Sequence, residues 1–433
     1  MRASERKILI LLSAVQFVNV LDAMMVMPLG PDFAKALGIS MSHLGWIGGS
    51  YTLAGAVMGF LGSFFLDRFD RRSALAVAMG GLVVATAAGG FAINLPTLIA
   101  ARMMAGLCGG PAASLTLSII ADVIPIERRG RAIGSVMAAF SVASVLGVPA
   151  GLELARHGGW RIPFFAVAAL GLTVAVGAAL ALPSLRGHLG RARTSSADGF
   201  RSLFNRRLVN YSLGAMAVGM MSGFIMIPNI AAYLQYNAGF PREKLGSLYL
   251  MGGIASFAAM RGAGVLTDRW SGTGVSLLGT SLFLAVLVVG FLTGAPLLPV
   301  TVCFVAFMVS MTMRGVPLSA LSTRVPREDE RARFLSLQSS IQHLAAAIGS
   351  FLSSRILSEG EGHRLIGIPT LTGVAMTLAA CLPLLLWRVE KGVRAIWLAP
   401  LDESGIQGNP SSDSPREARG EGKTDWSVRA RNG

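Results

Sequence analysis

Residues 62–72 carry the sequence Gly-Ser-Phe-Phe-Leu-Asp-Arg-Phe-Asp-Arg-Arg, and the rest of the chain is organised around this segment. It lies between two long apolar runs and changes abruptly from apolar to charged residues. A shorter version, Gly-Val-Leu-Thr-Asp-Arg-Trp-Ser-Gly, occupies residues 264–272, and Asp268 follows Asp67 by 201 positions (268 − 67). The recurrence indicates that the chain consists of two halves built on one plan.

The composition indicates that lipid surrounds most of the chain. Of its 433 residues, 53% are hydrophobic and 14% are charged, whereas a soluble globular protein carries about 25% charged residues. The net charge of +15 comes from 38 Lys and Arg against 23 Asp and Glu. Nucleic-acid binding would need a basic face on a water-soluble fold, and the sequence contains no such domain. Nucleic acid is therefore not an expected partner, and the lipid bilayer is.

About twelve apolar segments are long enough to cross a bilayer, because a spanning helix needs about 20 mostly apolar residues. The runs are continuously apolar and lack the alternation of barrel strands. The predicted fold is therefore all-α, a polytopic membrane protein of about 12 transmembrane helices in two pseudo-symmetric bundles of six. The segments are 7–30, 44–66, 73–93, 96–123, 132–155, 162–185, 208–231, 245–267, 275–293, 298–318, 334–356 and 366–387.

Lys and Arg are enriched roughly threefold in one set of alternate connections, which places that set in the cytoplasm. Both termini then lie in the cytoplasm, and the chain is expected in the inner membrane as a multi-pass protein. The predicted domains are an N-terminal bundle (1–185), a cytoplasmic linker (186–207), a C-terminal bundle (208–388) and a disordered cytoplasmic tail (389–433). The start of this tail, up to residue 401, has apolar residues at the spacing of a short amphipathic helix.

Residues 62–72 resemble the signature G-x-L-A-D-R-x-G-R-K/R between the second and third helices of the major facilitator superfamily. Ser63 and Asp70 stand at the two glycine positions. The resemblance implies conformational gating, because an acid that ends one helix and arginines that begin the next can clamp two halves together. The alternative is a cluster that only fixes topology. The residues predicted to gate are Asp67, Arg68, Arg71, Arg72, Asp268, Arg269, Arg129 and Arg331.

Two further motifs extend the resemblance over nearly the whole chain apart from the tail. Residues 102–106, Arg-Met-Met-Ala-Gly, resemble the R-x-x-Q-G signature of the fourth helix. Gly147, Pro149 and Gly151 resemble the fifth-helix motif that marks exporters; generic helix packing is the alternative. Within the superfamily, the chain resembles the branch of 12-span drug/proton antiporters and sugar-efflux proteins.

Asp22 and Arg102 are the predicted proton-coupling residues. Each lies well inside an apolar segment, where a charge costs about 2.5–3.5 kcal/mol on insertion scales. Asp22 can exchange a proton, and the family resemblance implies a role in proton transfer for Arg102. The alternatives are a carboxyl that caps the outer entrance and an arginine that forms a structural pair or reaches the outer interface.

Asn19, Asp22, Arg314 and His343 are the residues predicted to line a substrate cavity. Asn19 and Asp22 lie three residues apart and therefore share a helical face. Arg314 suits an anionic group. His343 could act as a proton relay, but a satisfied polar contact is the alternative.

The sequence contains no P-loop, no His-Glu-x-x-His and no nucleophile–base set, so we expect neither an enzyme, nor a cofactor, nor a metal. The predicted function is a monomeric secondary active transporter that exports a small organic molecule by alternating access, coupled to protons. The alternative is uptake or facilitated diffusion of a sugar or organic anion. A non-transporting membrane sensor or scaffold is a remote alternative.

Overall fold

The computed structural model describes residues 3–185, 203–292, 296–327 and 330–398. Six membrane-crossing spans precede the first long gap and form the N-terminal bundle. Spans 1 to 6 are, in order, Ala3–Met25; Leu44–Phe65; Arg71–Gly90; Leu95–Val123; Ile126–Val142 continued by a π-helical turn Ala143–Gly147 and by Val148–Gly158; and Arg161–Ala181.

Six further spans form the C-terminal bundle. Spans 7 to 12 are Arg207–Phe224 continued by Ile227–Ala232 and the π-helical turn Tyr233–Asn237; Leu245–Arg269; Gly272–Leu287 with the π-helical turn Val288–Leu292; Val300–Ser322; Arg331–Ile356; and Ile368–Leu398. The predicted fold class, two bundles of six helices, is confirmed.

Short elements lie at the end of the molecule that holds the connection between spans 1 and 2. This end is called the outer end below, after the orientation predicted from the arginines. It carries a helix Gly30–Leu37, 3-10 turns Met41–His43 and Arg242–Lys244, and a hairpin of strands β1 (Ser358–Glu359) and β2 (Leu365–Ile366), which enclose a 3-10 turn Glu361–His363. The opposite end, with a 3-10 turn Leu66–Arg68, is called the inner end.

Length and apolarity alone identify 11 of these helices as candidate spans among the described residues. Span 11 is the exception, although its 26 residues are enough to cross a bilayer. It carries serines, glutamines, His343 and Arg355 along its length. Its polar residues are sheltered by helix packing, because it lies between span 2 of the other bundle and span 7 of its own.

Span 12 extends beyond its predicted end at residue 387. The helix continues to Leu398, and Val389, Glu390 and Val393 are buried. The first ten residues of the predicted tail (389–398) are therefore helical and not disordered, because this segment has an apolar face that packs against the bundle. The rest of the predicted tail (399–433) and most of the predicted linker (186–202) lie outside the described residues.

Span 5 contains a proline inside its length. Pro149 has no N–H and would clash with the carbonyl of residue 145 in a regular helix. The π-helical turn Ala143–Gly147 widens the helix immediately before this proline, which is a recognised way to accommodate a break in the hydrogen-bond ladder.

Candidate functional site

Asp22 and Arg102 form a buried ion pair between spans 1 and 4. The guanidinium donates from Nη1 to Asp22 Oδ1 (3.0 Å) and from Nη2 to Oδ2 (3.1 Å) and to the Asp22 backbone oxygen (3.2 Å). Asp22 is 0% exposed and Arg102 is 1% exposed. This bidentate pairing, called two-pronged below, is the strongest form of Arg–carboxylate contact. The pair neutralises both charges within the bundle, and Asp22 does not face an open cavity in this state.

Thr86, Tyr51 and Asn19 surround this pair. The Thr86 hydroxyl donates to Asp22 Oδ1 (2.7 Å), and the Tyr51 ring lies 4.6 Å from Arg102 Cζ. The Tyr51 hydroxyl donates to Asn19 Oδ1 (3.4 Å), while Asn19 Nδ2 donates to the backbone oxygen of Gly109 (3.2 Å). Asn19 therefore ties spans 1, 2 and 4 together.

Thr86 and Tyr51 were not predicted from the sequence. A signal for Thr86 was available, because it is the only polar residue in span 3 beyond the first turn. Tyr51 gave no signal, since a tyrosine in an apolar segment is common.

The predicted exporter motif flanks the ion pair. A Cβ at Gly147 would lie 2.7 Å from Leu21 Cδ1, and one at Gly151 would lie 3.2 Å from Met25 Cγ. Both glycines therefore allow span 5 to pack tightly against the part of span 1 that carries Asp22. On another face, span 5 meets the other bundle, where a Cβ at Gly253 of span 8 would lie 2.9 Å from Val145 Cα.

Asp70 explains why the chain departs from the family signature at this position. Asp70 Oδ1 caps span 3 by accepting from Arg72 N (3.0 Å), and also accepts from Leu185 N (3.1 Å). The Ser184 hydroxyl donates to Asp70 Oδ2 (2.6 Å). A glycine could not hold the connection between spans 2 and 3 to the end of span 6 in this way.

The C-terminal bundle has a corresponding link made by other residues. Glu390 of span 12 accepts from Thr273 N (2.8 Å) at the start of span 9 and pairs with Arg394 (2.7 Å). Asp268 and Arg324 line an adjacent cavity of about 180 Å³. In the N-terminal bundle the connection between spans 2 and 3 is thus held to the end of span 6. In the C-terminal bundle the start of span 9 is held to the last part of span 12.

The described ion pairs at the inner end each join residues of one bundle. Arg71 pairs with Asp122 (2.6 Å), and Arg128, Arg206 and Arg394 pair with Glu5, Glu330 and Glu390. Arg129 donates to the Ala121 backbone oxygen (2.7 Å).

The other residues predicted to gate lie in the same region of the inner end. Arg68, Arg72, Asp268, Arg269 and Arg331 occupy the connections and helix ends there, while the Asp67 side chain lies outside what the structure describes. The cytoplasmic clamp between the bundles stays a prediction for another conformation.

The two bundles are joined by charges at the outer end. Arg242, before span 8, donates from Nε to Asp32 Oδ1 (2.7 Å) and Oδ2 (2.9 Å). Glu359 of β1 accepts from the backbone N–H of Met41 (2.7 Å). Asp32, Arg242 and Glu359 carry no signal in the sequence, because isolated charges in polar connections are ordinary surface residues.

The Glu359 carboxylate stays charged at neutral pH. Burial acts to raise its pKa, but hydrogen bonds from Ser40, His363 and Met41 N outweigh burial and lower the pKa below its ordinary value. A lowered pKa means that the contact is present above the ordinary pKa and is lost only as the pH falls through the lower, folded-state value. The contact to Met41 is therefore insensitive to changes around pH 7.

Below these charges, spans 2 and 11 pack against each other and close the interface between the two bundles, which is called the seam. A Cβ at Gly49 would lie 2.6 Å from Phe351 Cδ1, and the Trp46 and Phe351 rings lie 5.0 Å apart. Deeper, the His343 ring lies beside Gly55, where a Cβ would be 3.5 Å from His343 Cδ2, and His343 Nδ1 contacts the Ser339 oxygen (2.8 Å). His343 is thus at the seam between the bundles, as a cavity-lining role requires.

Arg314 lies apart from these groups, inside the C-terminal bundle. It is 2% exposed, and its Nη2 donates to the Ser222 hydroxyl (2.7 Å). The structure therefore brings Asp22, Arg102 and Asn19 together, with His343 at the seam and Arg314 in the other bundle.

Comparison with known proteins agrees with this architecture. The family model of the Major Facilitator Superfamily matches residues 12–350. A chloramphenicol resistance protein of Streptomyces lividans is 27% identical over 350 residues, which cover 78% of this chain and 86% of that protein. The crystal structure of a D-xylose-proton symporter has a TM-score of 0.72 at 16% identity, covering 90% of this chain and 99% of that one. By fold, motifs and family match, the chain belongs to the Major Facilitator Superfamily of membrane transporters.

Proposed function

We propose that this transporter exports a small organic molecule in exchange for protons, by alternating access. The observation that carries the proposal is the enclosed Asp22 carboxylate, held by Arg102 and Thr86 on a helix that packs against the exporter motif of span 5. The similarity to a chloramphenicol resistance protein favours export over uptake.

Protonation of Asp22 would release Arg102. A neutral carboxyl group no longer balances the guanidinium, so the two-pronged pair is weakened and Arg102 becomes an uncompensated buried cation. That cost favours a rearrangement of spans 1 and 4. The rearrangement would carry the proton inward while the substrate-free transporter returns, so that each exported molecule is exchanged for protons.

Span 5 contacts both span 1 and the other bundle, so a movement of span 1 can reach the seam through it. Leu21 and Met25 touch Gly147 and Gly151, and the other face of span 5 touches Gly253 of span 8. A shift of span 1 therefore reaches the C-terminal bundle through tightly packed backbone. The substrate would bind between the bundles, in a space bordered by Asn19 and His343 and reached by Arg314 from the C-terminal bundle, once the site around Asp22 opens.

The described state corresponds to one side of the cycle, closed at the outer end. We assign the bundles to 1–185 and 208–398, the cytoplasm to the inner end and both termini, and the inner membrane as location. A monomer suffices, because the seam lies within one chain.

The test is transport by purified protein in liposomes, against a panel of antibiotics and dyes, with and without a pH gradient. Export predicts accumulation against the substrate gradient that collapses when the pH gradient is removed. Downhill entry that ignores the pH gradient would contradict the proposal and establish a facilitator.

Charge exchange at the outer end gives a separate prediction. Asp32→Arg places two cations together and should favour outer opening by about fivefold, since a partly exposed pair contributes about 1 kcal/mol. The double variant Asp32→Arg/Arg242→Asp should restore closure. The measurement is labelling of Ser350→Cys by an impermeant maleimide from outside, after replacement of Cys108, Cys303 and Cys381.

Lys35→Glu is the matched control, because Lys35 lies on the same short helix and is exposed. It should leave labelling unchanged. Equal labelling of the single and double Asp32 variants would show that the pair does not hold the outer end.

A further inference from the structure

Arg314 is a buried cation with no acidic partner among the described residues. Its Nη2 reaches the Ser222 hydroxyl (2.7 Å), while Nη1 has only the weak acceptor Met311 Sδ at 3.7 Å. Nε has no hydrogen-bond partner among the described residues, as is also true of Arg102 Nε, so the two arginines differ in what their Nη atoms contact. A guanidinium carries five N–H donors, and one oxygen acceptor leaves most of them unused.

The contrast with Arg102 is informative. Arg102 receives a carboxylate and a carbonyl from Asp22, whereas the face of Arg314 is covered by the Phe283 ring, 4.3 Å from Cζ. A buried arginine with a structural role is expected to be paired, because an uncompensated buried charge costs several kcal/mol. Arg102 meets this expectation and Arg314 does not.

No acid of the C-terminal bundle is available to pair with Arg314 by a local shift. The acidic residues of the sequence between 208 and 398 all lie in connections or near helix ends; they are Glu243, Asp268, Glu328, Asp329, Glu330, Glu359, Glu361 and Glu390. The compensating anion must therefore come from outside the bundle.

The height of Arg314 in the membrane fits a substrate site. It lies 14 residues from the start of span 10 at Val300 (314 − 300), or about 21 Å along the helix. Ser222 lies about 22 Å along span 7 from Arg207. Both therefore lie close to the middle of the bilayer, where transporters of this architecture bind substrate.

Met311 is a movable cover beside the guanidinium. Its side chain is half-buried and lies against Gly223, next to Ser222. A methionine adapts its shape at low cost, so it can leave the guanidinium without breaking a strong contact. An incoming group could then reach the unused donors.

We propose that Arg314 is the specificity-determining residue of the substrate site and that the transported class is organic carboxylates. The planar guanidinium matches a carboxylate in a two-pronged arrangement, and Ser222 provides an adjacent hydroxyl. This inference rests on the proposed export function, because it names the substrate of that function.

The test uses the full-length protein in liposomes with aromatic carboxylates, each paired with its own primary amide. The amide keeps the shape and removes the charge. Wild type should take up and exchange the acid with at least about tenfold lower KM than the amide, since one charged contact of about 1.4 kcal/mol corresponds to that factor. Thermal unfolding should likewise shift upward with the acid and not with the amide.

Arg314→Met should remove the preference for the acid, and Arg314→Lys should keep a part of it, because lysine keeps the charge but loses the two-pronged geometry. Arg261→Met is the matched control, since Arg261 is an exposed arginine of span 8 that lies against Phe257. It should retain the wild-type preference. If Arg314→Met does not fold, the milder variant Ser222→Ala replaces it in the test. Ser222→Ala should raise the KM for the acid.

Two results would overturn the inference: a wild-type protein that exchanges amides as well as acids, or a folded Arg314→Met variant that retains the preference. A protein that pumps neutral or cationic compounds along a pH gradient but no acids would overturn this inference and leave the export function intact. A protein that moves no compound under any gradient would remove both.

Discussion

Asp22→Asn is expected to reduce gradient-driven efflux to the background of empty liposomes. Asparagine fills the same space and can still accept hydrogen bonds from Thr86 and Arg102, whose donors now reach Asp22 Oδ1 at 2.7 Å and 3.0 Å. It cannot carry a proton or balance the guanidinium. The measurement is substrate efflux from cells or liposomes under an imposed pH gradient.

The variant must be separated from a protein that fails to fold. Removing one partner of a buried ion pair costs about 3–5 kcal/mol, so Asp22→Asn should also unfold at a lower temperature. The double variant Asp22→Asn/Arg102→Gln removes the uncompensated cation and should recover much of that stability without recovering coupling. Stability and coupling are thereby measured independently.

Exchange of labelled for unlabelled substrate, without a pH gradient, provides the second control. This exchange needs alternating access but no net proton movement, so folded Asp22→Asn should retain it. Thr86→Val, which removes one hydrogen bond from the carboxylate, should weaken coupling less than Asp22→Asn does. Normal gradient-driven pumping by Asp22→Asn would show that the proton is carried elsewhere.

The sequence allowed prediction of the fold because each span is a separate apolar segment with its own signal. It also identified Asp22 and Arg102, since a charge inside such a segment is rare. Their pairing could only be proposed, because they lie 80 residues apart in the chain and distance depends on how spans 1 and 4 pack. The spacing of Val389 and Val393 predicted a short amphipathic helix after residue 387, but not that this helix continues span 12 and packs on the bundle, because that depends on tertiary contacts.

The outer contacts could not be predicted from the sequence. Asp32 and Arg242 lie 210 residues apart, in short polar connections where a charge is the ordinary choice. Gly45 and Gly49 are likewise two of 52 glycines. Which glycine faces the other bundle depends on the conformation that the two bundles adopt, and composition carries no information on that.

Gly45→Leu is expected to prevent closure of the outer end and to abolish transport. A Cβ at Gly45 would overlap the backbone oxygen of Ser350 and lie 2.5 Å from the Ser353 and Ser354 hydroxyls. The span 11 backbone cannot move aside locally, so spans 2 and 11 must separate. Overpacking of this kind costs about 1–3 kcal/mol, and the upper value changes the ratio of closed to open molecules by about 100-fold.

The measurement is the distance between spin labels at Lys35→Cys and Glu361→Cys, which lie on opposite bundles at the outer end and are exposed. The distance should lengthen in Gly45→Leu. Gly80→Leu is the matched control, because a Cβ at Gly80 in span 3 meets nothing within 4 Å, and this variant should transport normally.

Because Gly45 touches the other bundle and not the ion pair, its loss should stop exchange as well as efflux, whereas Asp22→Asn should stop efflux alone. If Gly45→Leu retained exchange at an unchanged label distance, close contact of spans 2 and 11 would not be part of the cycle.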